Sequence, residues 1–247
     1  MRTILLAIIY VIICIISIPF HLVLLIVRKI NKKAAATVSL AVVKIVFNLC
    51  MVVSGCKKEI VGAEKIPDDR AVLYAANHRG FYDIILLYTL VPRLTAFIAK
   101  IEIKKFPCIA QWMYFLNCLF IDRGDVKQNL DIILKAIALA KDGYSIYIAP
   151  EGTRNPTDTL LEFKEGSMKI ATKANMPIVP VCFVGTEKIL EEHIPWVKKG
   201  KISVIFGDPI YPEKLDPEEK KHIGRYTRDI IQKMYDDHIS KASTDTY

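Results

Sequence analysis

The sequence predicts an α/β protein whose largely parallel sheet is flanked by helices and preceded by an N-terminal two-helix membrane anchor. Two observations support the anchor: residues 1–60 of the 247 contain two long apolar segments, and they hold most of the net charge of +8. A third observation supports the α/β class, since the rest of the chain alternates short apolar runs with helical patterns. Apolar residues make up 52 % of the chain, which excludes general disorder.

The anchor is predicted from two apolar segments that a basic hinge separates. Ile4–Val27 contains 24 residues without a charge, and about 20 are enough to span a bilayer. Val38–Gly55 is interrupted by one charge only, that of Lys44. The segments form either a hairpin that crosses the membrane or an anchor that lies in one leaflet, and the sequence leaves both open. We assign residues 1–58 to the anchor and 59–247 to the α/β domain.

The positive charge is concentrated in the anchor. Residues 1–60 contain eight Lys or Arg side chains and one acid, Glu59, whereas residues 61–247 carry a net charge of only +1. A nearly neutral domain without a recognition motif for nucleic acid argues against nucleic acid as a partner. The four basic side chains within Arg28–Lys33 instead favour contact with anionic headgroups. We therefore predict a membrane protein with its α/β domain on the cytoplasmic face.

The α/β domain is predicted to contain six strands and five helices. The strands are mostly apolar throughout, which is typical of strands buried on both faces of a parallel sheet. They are Ala71–Ala75, Thr95–Ala99, Cys118–Ile121, Ser145–Ala149, Ile178–Val184 and Lys201–Phe206. The helices are Tyr82–Leu90, Pro107–Leu116, Val126–Lys141, Lys164–Ala174 and Pro217–Ile239, before a polar tail. In such sheets ligands bind at the carboxyl ends of the strands.

A histidine and a carboxylate follow the first of these strands. His78 comes just after the strand, and Asp83 lies five residues later, near the start of the next helix. The carboxylate can meet the imidazole across the turn, hold one ring nitrogen and leave the other to accept a proton. The same residues could be ordinary helix-capping groups, and the spacing alone does not decide between these uses.

Two further strands end in groups that suit a phosphate. The third strand is followed by Arg123, whose guanidinium can bind two phosphate oxygens at once or else pair with a neighbouring Asp. The fourth strand leads into Pro-Glu-Gly-Thr-Arg at residues 150–154. In that turn Gly152 allows a close backbone approach to a ligand, and Thr153 and Arg154 carry hydrogen-bond donors. Taken alone, this turn could also be an ordinary one.

Four motifs in this order resemble those of the glycerolipid acyltransferase family. They lie between about residues 60 and 210, and their combination is highly specific although each is weak alone. The motifs are Asn77-His78-(four residues)-Asp83, Phe120-Ile121-Asp122-Arg123, Pro150-Glu151-Gly152-Thr153-Arg154 and Ile178-Val179-Pro180-Val181. The nearest subgroup looks like the 1-acyl-sn-glycerol-3-phosphate acyltransferases, and the implied fold is glycerol-3-phosphate acyltransferase-like. Ala149 departs from the pattern, since an aromatic residue often precedes Pro-Glu-Gly in the family.

The resemblance implies a role for each of these residues. His78 would be the general base that deprotonates a glycerol hydroxyl, with Asp83 orienting it, and backbone N–H groups after His78 are candidate oxyanion donors. The alkoxide would attack the acyl thioester directly, so no Ser or Cys nucleophile, metal or cofactor is expected. The residues implied for the pocket of the acceptor's phosphate are Arg123, Glu151, Gly152, Thr153 and Arg154, with Lys100 as a further contact.

The reaction that the resemblance implies is acylation of lysophosphatidic acid to phosphatidic acid in the phospholipid bilayer. An acyl-carrier protein or coenzyme A thioester would donate the acyl group. The acceptor could instead be glycerol 3-phosphate or another lysophospholipid. A non-catalytic lipid-binding module is a further alternative, although the intact His78 and Asp83 argue against it. The aromatic segment Phe106–Phe115 is expected either to face lipid or to form a core helix.

Overall fold

A computed structural model describes residues 1–122 and 124–244 of the chain. Within these ranges the strands are β1 (Cys56–Val61), β2 (Leu73–Ala76), β3 (Thr95–Lys100), β4 (Leu119–Ile121), β5 (Ser145–Ile148), β6 (Ile178–Val184) and β7 (Gly200–Phe206). They form one sheet in the order β1-β7-β6-β2-β5-β3-β4. Among these seven strands of the described ranges, β6 and β7 pair antiparallel and the other neighbours are parallel. The predicted class, an α/β fold with a largely parallel sheet, is confirmed.

Helices cover both faces of this sheet. The α-helices of the same ranges are α1 (Arg2–Ile30), α2 (Lys32–Ser54), α3 (Phe81–Leu90), α4 (Pro107–Phe115), α5 (Val126–Lys141), α6 (Glu165–Ala174), α7 (Pro217–Lys221) and α8 (Ile223–Thr244). One core cluster joins the sheet to α2, α3 and α4, and a second joins its other face to α5, α6 and α8. The sheet is therefore the middle layer of three.

Strand β2, at the centre of the sheet, is apolar at every position because both of its faces are covered. In β2, Tyr74 and Ala76 belong to the cluster with α3, whereas Leu73 and Ala75 belong to the cluster with α6 and α8. All four side chains are fully buried. Strands β2 to β6 run in one direction and end at a common edge, which we call the carboxyl edge.

The two N-terminal helices are each long and apolar enough to cross a membrane. They pack against each other, and α2 also packs along α3. Of the residues of α1, only Ser17 and Leu24 are buried, so most of its apolar surface is exposed. Lys44, the charge within the second apolar segment, donates to the carbonyl of Val91 at the end of α3 (2.6 Å). That contact explains a lysine within an otherwise uncharged segment, since the last carbonyls of a helix need donors.

Hydrogen bonds tie α1 to the α/β domain near its start, its middle and its end. They include Val197 N–H to Thr3 Oγ1 (2.8 Å), Trp112 Nε1–H to Ser17 Oγ (3.0 Å) and Arg28 Nη2–H to Asn117 Oδ1 (2.8 Å). The whole of α1 thus lies along the surface of the α/β domain.

The structure differs from the sequence prediction at both ends of the α/β domain. Residues 56–58, which we assigned to the anchor, belong to β1, a strand that we did not predict. This edge strand carries Lys57, Lys58 and Glu59, and charged residues are common on edge strands, so its apolar signal is weak. The predicted final helix is two helices that meet at His222, and the second continues to Thr244 through most of the expected polar tail.

The aromatic segment before β4 combines the two expected uses. Trp112 and Phe115 of α4 are buried against the N-terminal helices, which is the behaviour of a core helix. Phe106 and Tyr114 are exposed. Two of these four aromatic side chains therefore pack against the N-terminal helices, and the other two remain on the surface.

Candidate active site

The turn after β2 places a histidine at the carboxyl edge. Asn77 is buried and fixes this turn to β6, because it accepts from the N–H of Phe183 (2.7 Å) and donates to the carbonyl of Phe183 (2.9 Å). His78 follows, with its side chain 17 % exposed. Its Nδ1 atom lies 2.8 Å from Oδ2 of Asp83, the third residue of α3. The spacing of five residues thus brings the imidazole and the carboxylate into contact.

Asp83 is fully buried and accepts several hydrogen bonds. In addition to the imidazole, Oδ2 accepts the backbone N–H groups of Arg79 (2.8 Å) and Gly80 (3.0 Å). Oδ1 accepts the hydroxyl of Thr186. With its carboxylate fixed in this way, Asp83 can hold the imidazole with Nδ1–H directed toward it. The other ring atom, Nε2, is then the one that can accept a proton.

Glu151, the second residue of the Pro-Glu-Gly-Thr-Arg turn, is buried. Its Oε1 accepts the N–H of His78 (2.9 Å), and its Oε2 accepts from the side chain of Asn155 and the N–H of Leu161 (3.0 Å each). The N–H of Asn155 in turn donates to the carbonyl of His78 (2.7 Å). Both carboxylate oxygens are therefore bonded within the protein, and Glu151 connects the turn to His78 rather than facing a phosphate.

The backbone N–H groups after His78 are also bonded within the protein. Those of Arg79 and Gly80 donate to Asp83, and that of Phe81 donates to Oε1 of Glu191 (2.7 Å). The first three of the backbone N–H groups after His78, which are candidate oxyanion donors, therefore have acceptors within the protein. The start of α3 uses these groups for its own capping.

The last three residues of the Pro-Glu-Gly-Thr-Arg turn face outward. Gly152 has a φ of +76°, a conformation that favours glycine, and a side chain there would meet the ammonium of Lys164 at 2.8 Å. Thr153 is exposed, and Arg154 is half-exposed with Nη1 3.5 Å from Oε1 of Glu191. The surface of this turn thus carries two cationic side chains, of which Lys164 was not anticipated. Nothing in the sequence marked Lys164, because it follows the turn by ten residues.

Lys100 ends β3 at the same edge and is half-exposed, with Nζ 2.6 Å from Oε1 of Glu102. Strand β5 lies between β2 and β3, so Lys100 is two strands from His78, or about 10 Å at the usual spacing of strands. The predicted contact Arg123 lies outside the described residues. Its strand, β4, ends at Ile121, which pairs with Lys100.

A segment after β6 that the sequence analysis did not identify completes the site. Thr186 donates to Asp83, and Glu187 pairs with Arg79 through two hydrogen bonds (2.7 and 3.0 Å). Both partners of this ion pair are almost fully buried. Arg79 also donates to the carbonyls of Pro156 (3.0 Å) and Thr157 (2.9 Å). Arg79 thereby joins the histidine turn, the segment after β6 and the loop after β5.

Glu191 lies at the end of this segment, and the pKa of its carboxyl group is shifted. Burial raises the pKa of Glu191 above its ordinary value, although the hydrogen bond from Phe81 and the charge of Arg154 act in the opposite direction. Its Oε2 atom is buried without a hydrogen-bond partner among the described residues. A half-buried acid therefore lies between the start of α3 and the guanidinium of Arg154.

Comparisons with known proteins agree with this architecture. The sequence profile of the Acyltransferase family matches residues 57–184. The chain is 24 % identical to a protein of Thermotoga maritima whose crystal structure is described as the 1-acyl-sn-glycerophosphate (LPA) acyltransferase PlsC. The two folds superpose with a TM-score of 0.76 over 96 % of this chain and 97 % of the other. The fold is thus that of a solved acyltransferase, including the two N-terminal helices that the coverage spans.

Several relatives are more similar in sequence. A 1-acyl-sn-glycerol-3-phosphate acyltransferase of Cocos nucifera is 34 % identical over 69 % of this chain and 54 % of its own length. A probable 1-acyl-sn-glycerol-3-phosphate acyltransferase of Mycoplasma pneumoniae is 30 % identical over 76 % and 74 %, respectively. The chain spans about half the length of the plant relatives from Cocos nucifera and Brassica napus. Profile, sequence and fold together show that the chain belongs to the Acyltransferase family.

Proposed function

We propose that this protein transfers an acyl group from an acyl thioester to the sn-2 hydroxyl of 1-acyl-glycerol 3-phosphate, giving phosphatidic acid in phospholipid synthesis. The observation that carries the proposal is the contact of His78 with the buried Asp83 beside a group of outward-facing cations. The names of the relatives, several of which are 1-acyl-sn-glycerol-3-phosphate acyltransferases, support this acceptor.

His78 is the general base of the proposed reaction. Its Nε2 accepts the proton of the sn-2 hydroxyl as the oxygen attacks the thioester carbonyl carbon. The tetrahedral intermediate then collapses, the carbon–sulfur bond breaks, and the thiolate takes up the proton from the imidazolium. Asp83 keeps the ring oriented and stabilises the positive charge that develops on it. Because the hydroxyl attacks directly, the reaction needs no nucleophilic side chain.

The acceptor's phosphate is bound by cations at the carboxyl edge. Arg154 lies on the turn after β5, the strand between those that carry His78 and Lys100, and the ammonium of Lys164 lies beside Gly152 of that turn. A phosphate above this turn is within reach of long side chains from β5 and β3, while the hydroxyl reaches His78. Glu151 positions this turn, and Arg123 at the end of β4 is a further contact implied by the motif.

The donor of the proposed reaction is an acyl-carrier protein or coenzyme A thioester, and no metal or cofactor takes part. Both donors present the same thioester carbonyl to the attacking oxygen, so the chemistry at His78 is identical for either one. Their other parts differ greatly in size and charge, which makes a direct comparison of the two donors informative.

We also propose that α1 and α2 lie in one leaflet of the cytoplasmic face rather than crossing the bilayer. Thr3 and Arg28 are separated by about 37 Å along a helix, which is more than the thickness of the hydrocarbon core. A helix that crosses would separate them by the membrane. Instead, hydrogen bonds near both ends and the middle join α1 to the α/β domain, so its exposed apolar surface faces away from that domain.

A panel of donors and acceptors on the reconstituted wild-type protein tests the proposed reaction. Each donor is paired with lysophosphatidic acid, glycerol 3-phosphate, lysophosphatidylcholine and monoacylglycerol, and product formation is measured. We expect phosphatidic acid as the main product and a large loss of turnover with monoacylglycerol, which lacks the phosphate. Equal turnover of monoacylglycerol would contradict the phosphate site, and binding of lipid without turnover of any pair would identify a non-catalytic lipid-binding protein.

A further inference from the structure

Residues 192–199, which we call the tryptophan loop, expose two large apolar side chains. Ile194 is 67 % exposed and Trp196 is 56 % exposed. Single exposed apolar residues are common on proteins. These two, however, are separated only by Pro195, so they form one apolar projection. Such a projection on a loop is a candidate contact with lipid or with another protein.

The tryptophan loop is attached to the start of α1. The N–H of Val197 donates to Oγ1 of Thr3 (2.8 Å), and the N–H of Lys198 donates to the carbonyl of Ile189 (2.9 Å). Immediately after Thr3, α1 exposes the apolar side chains of Ile4 and other residues along its length. The apolar projection therefore extends the exposed apolar surface of α1 beyond its first residue.

The charges around the tryptophan loop fit an anionic surface. Arg2 and Lys199 lie together beside Gly55, and Lys198 is exposed next to them in the chain. The loop also carries one exposed acid, Glu192, which leaves cations in the majority here. The basic hinge within residues 28–33 lies at the other end of α1. The apolar surface of α1 is thus flanked by cations at both ends, as anionic headgroups would require.

We propose that Ile194 and Trp196 insert into the boundary between the headgroups and the acyl chains of an anionic phospholipid bilayer. Tryptophan is enriched at this depth because its ring is apolar and its N–H is polar. The tryptophan loop is then a second membrane contact beside α1. This inference rests on the proposed location of α1 in one leaflet, and it is independent of the acceptor and of the reaction.

The contact would lie next to the candidate active site. Glu191, which directly precedes the tryptophan loop, accepts the N–H of Phe81 at the start of α3. The same chain segment therefore touches the histidine turn at one end and α1 at the other. Anchoring of the loop in the bilayer holds the carboxyl edge close to the headgroups, where an acceptor that is itself a lipid is found.

Tryptophan fluorescence tests this inference, because the sequence has only two tryptophans. The other, Trp112, is only 9 % exposed, and the variant Trp112→Phe leaves Trp196 as the sole reporter. The protein is reconstituted into phosphatidylglycerol–phosphatidylcholine vesicles with or without brominated acyl chains, which quench tryptophan on contact. We expect the emission of Trp196 to shift to the blue and to lose most of its intensity in the brominated vesicles.

Two control variants ensure that the conclusion about Trp196 does not depend on the substitution Trp112→Phe alone. Trp196→Phe in the same vesicles gives the emission of Trp112 alone, which is subtracted from that of the wild type. The triple variant Trp112→Phe, Trp196→Phe, Lys220→Trp puts the reporter on α7, whose exposed Lys220 lies just before the helix that covers the other face of the sheet. That reporter is expected to keep its emission in brominated vesicles.

Two results would overturn the inference. Emission of Trp196 at the wavelength of exposed tryptophan, without quenching, would place the loop in water. Blue-shifted emission that bromine does not quench and that depends on protein concentration would show that a second copy of the chain covers the loop. Acyl transfer is measured on the same vesicles, so that a failure of the proposed reaction is distinguishable from a failure of this contact.

Discussion

Asp83 is the residue on which the geometry of the candidate site depends most directly. One of its oxygens accepts the imidazole and two backbone N–H groups, and the other accepts the hydroxyl of Thr186. The carboxylate therefore fixes the ring of His78 and the start of α3 at the same time. Because Asp83 is fully buried, this polar network stabilises the fold only when each donor has its acceptor.

The variant Asp83→Asn tests this role. Its amide keeps one acceptor oxygen but presents N–H groups to donors, so the imidazole loses its orientation. We expect kcat to fall about 10²-fold or more, with KM for lysophosphatidic acid changed little. Thr186→Val is the matched control, because it removes one donor and leaves the contact with His78 intact. A kcat for Asp83→Asn close to that of the wild type would contradict the assignment.

Because the carboxyl group of Glu191 is partly buried, we expect the stability of the folded protein to depend on pH. Burial raises its pKa in the folded protein above the ordinary value of 4.5, so ionisation costs more in the folded than in the unfolded state. Stability is therefore lost as the pH rises above 4.5. In Glu191→Gln we expect a free energy of unfolding that exceeds the wild-type value by a margin that grows between pH 4 and pH 7. Thermal unfolding at both pH values measures this margin, and a constant margin would refute the explanation.

The sequence predicts the strands better than the contacts between them. Six apolar runs identified β2 to β7, because strands buried on both faces have a strong local signal. The charged edge strand β1 lacks that signal. The ion pair of Arg79 with Glu187 was also missed, since it joins residues 108 positions apart. The sequence also does not predict the position of Lys164 beside Gly152, because only the packing of the loop after β5 brings these residues together.

Replacement of Arg79 tests how far the three elements depend on this ion pair. Arg79→Met leaves the carboxylate of Glu187 buried without its partner, and we expect a loss of about 3 kcal/mol in the free energy of unfolding. The double variant Arg79→Met, Glu187→Leu removes both charges and should recover part of that loss. Chemical denaturation measures both variants. An unchanged stability in Arg79→Met would show that the pair does not hold these elements together.

The sequence predicts a two-helix anchor but leaves its topology open. Length and apolar composition are the same for a helix that crosses the bilayer and for one that lies in a leaflet. The arrangement in one leaflet that we propose rests on the polar contacts that α1 makes with Val197, Trp112 and Asn117. These contacts join distant parts of the chain, so no local sequence pattern predicts them.

Labelling of lysines from one side of a sealed vesicle tests this topology. An amine-reactive reagent that does not cross membranes is applied, and mass spectrometry compares Lys32 in the hinge with Lys220 on α7. If α1 lies in one leaflet, both lysines are on the same side, and we expect the same labelled fraction for both. A crossing hairpin would place them on opposite sides, and labelling of Lys220 with protection of Lys32 would contradict our proposal.

His78 is the proposed base in acyl transfer to a phosphate-bearing lysolipid. The most direct test is the initial rate of phosphatidic acid formation by His78→Ala and the wild type, reconstituted in the same vesicles. We expect the rate to fall by about 10²- to 10⁴-fold, while the circular dichroism spectrum and melting temperature stay close to the wild type. A folded His78→Ala protein that forms phosphatidic acid at the wild-type rate would contradict the claim.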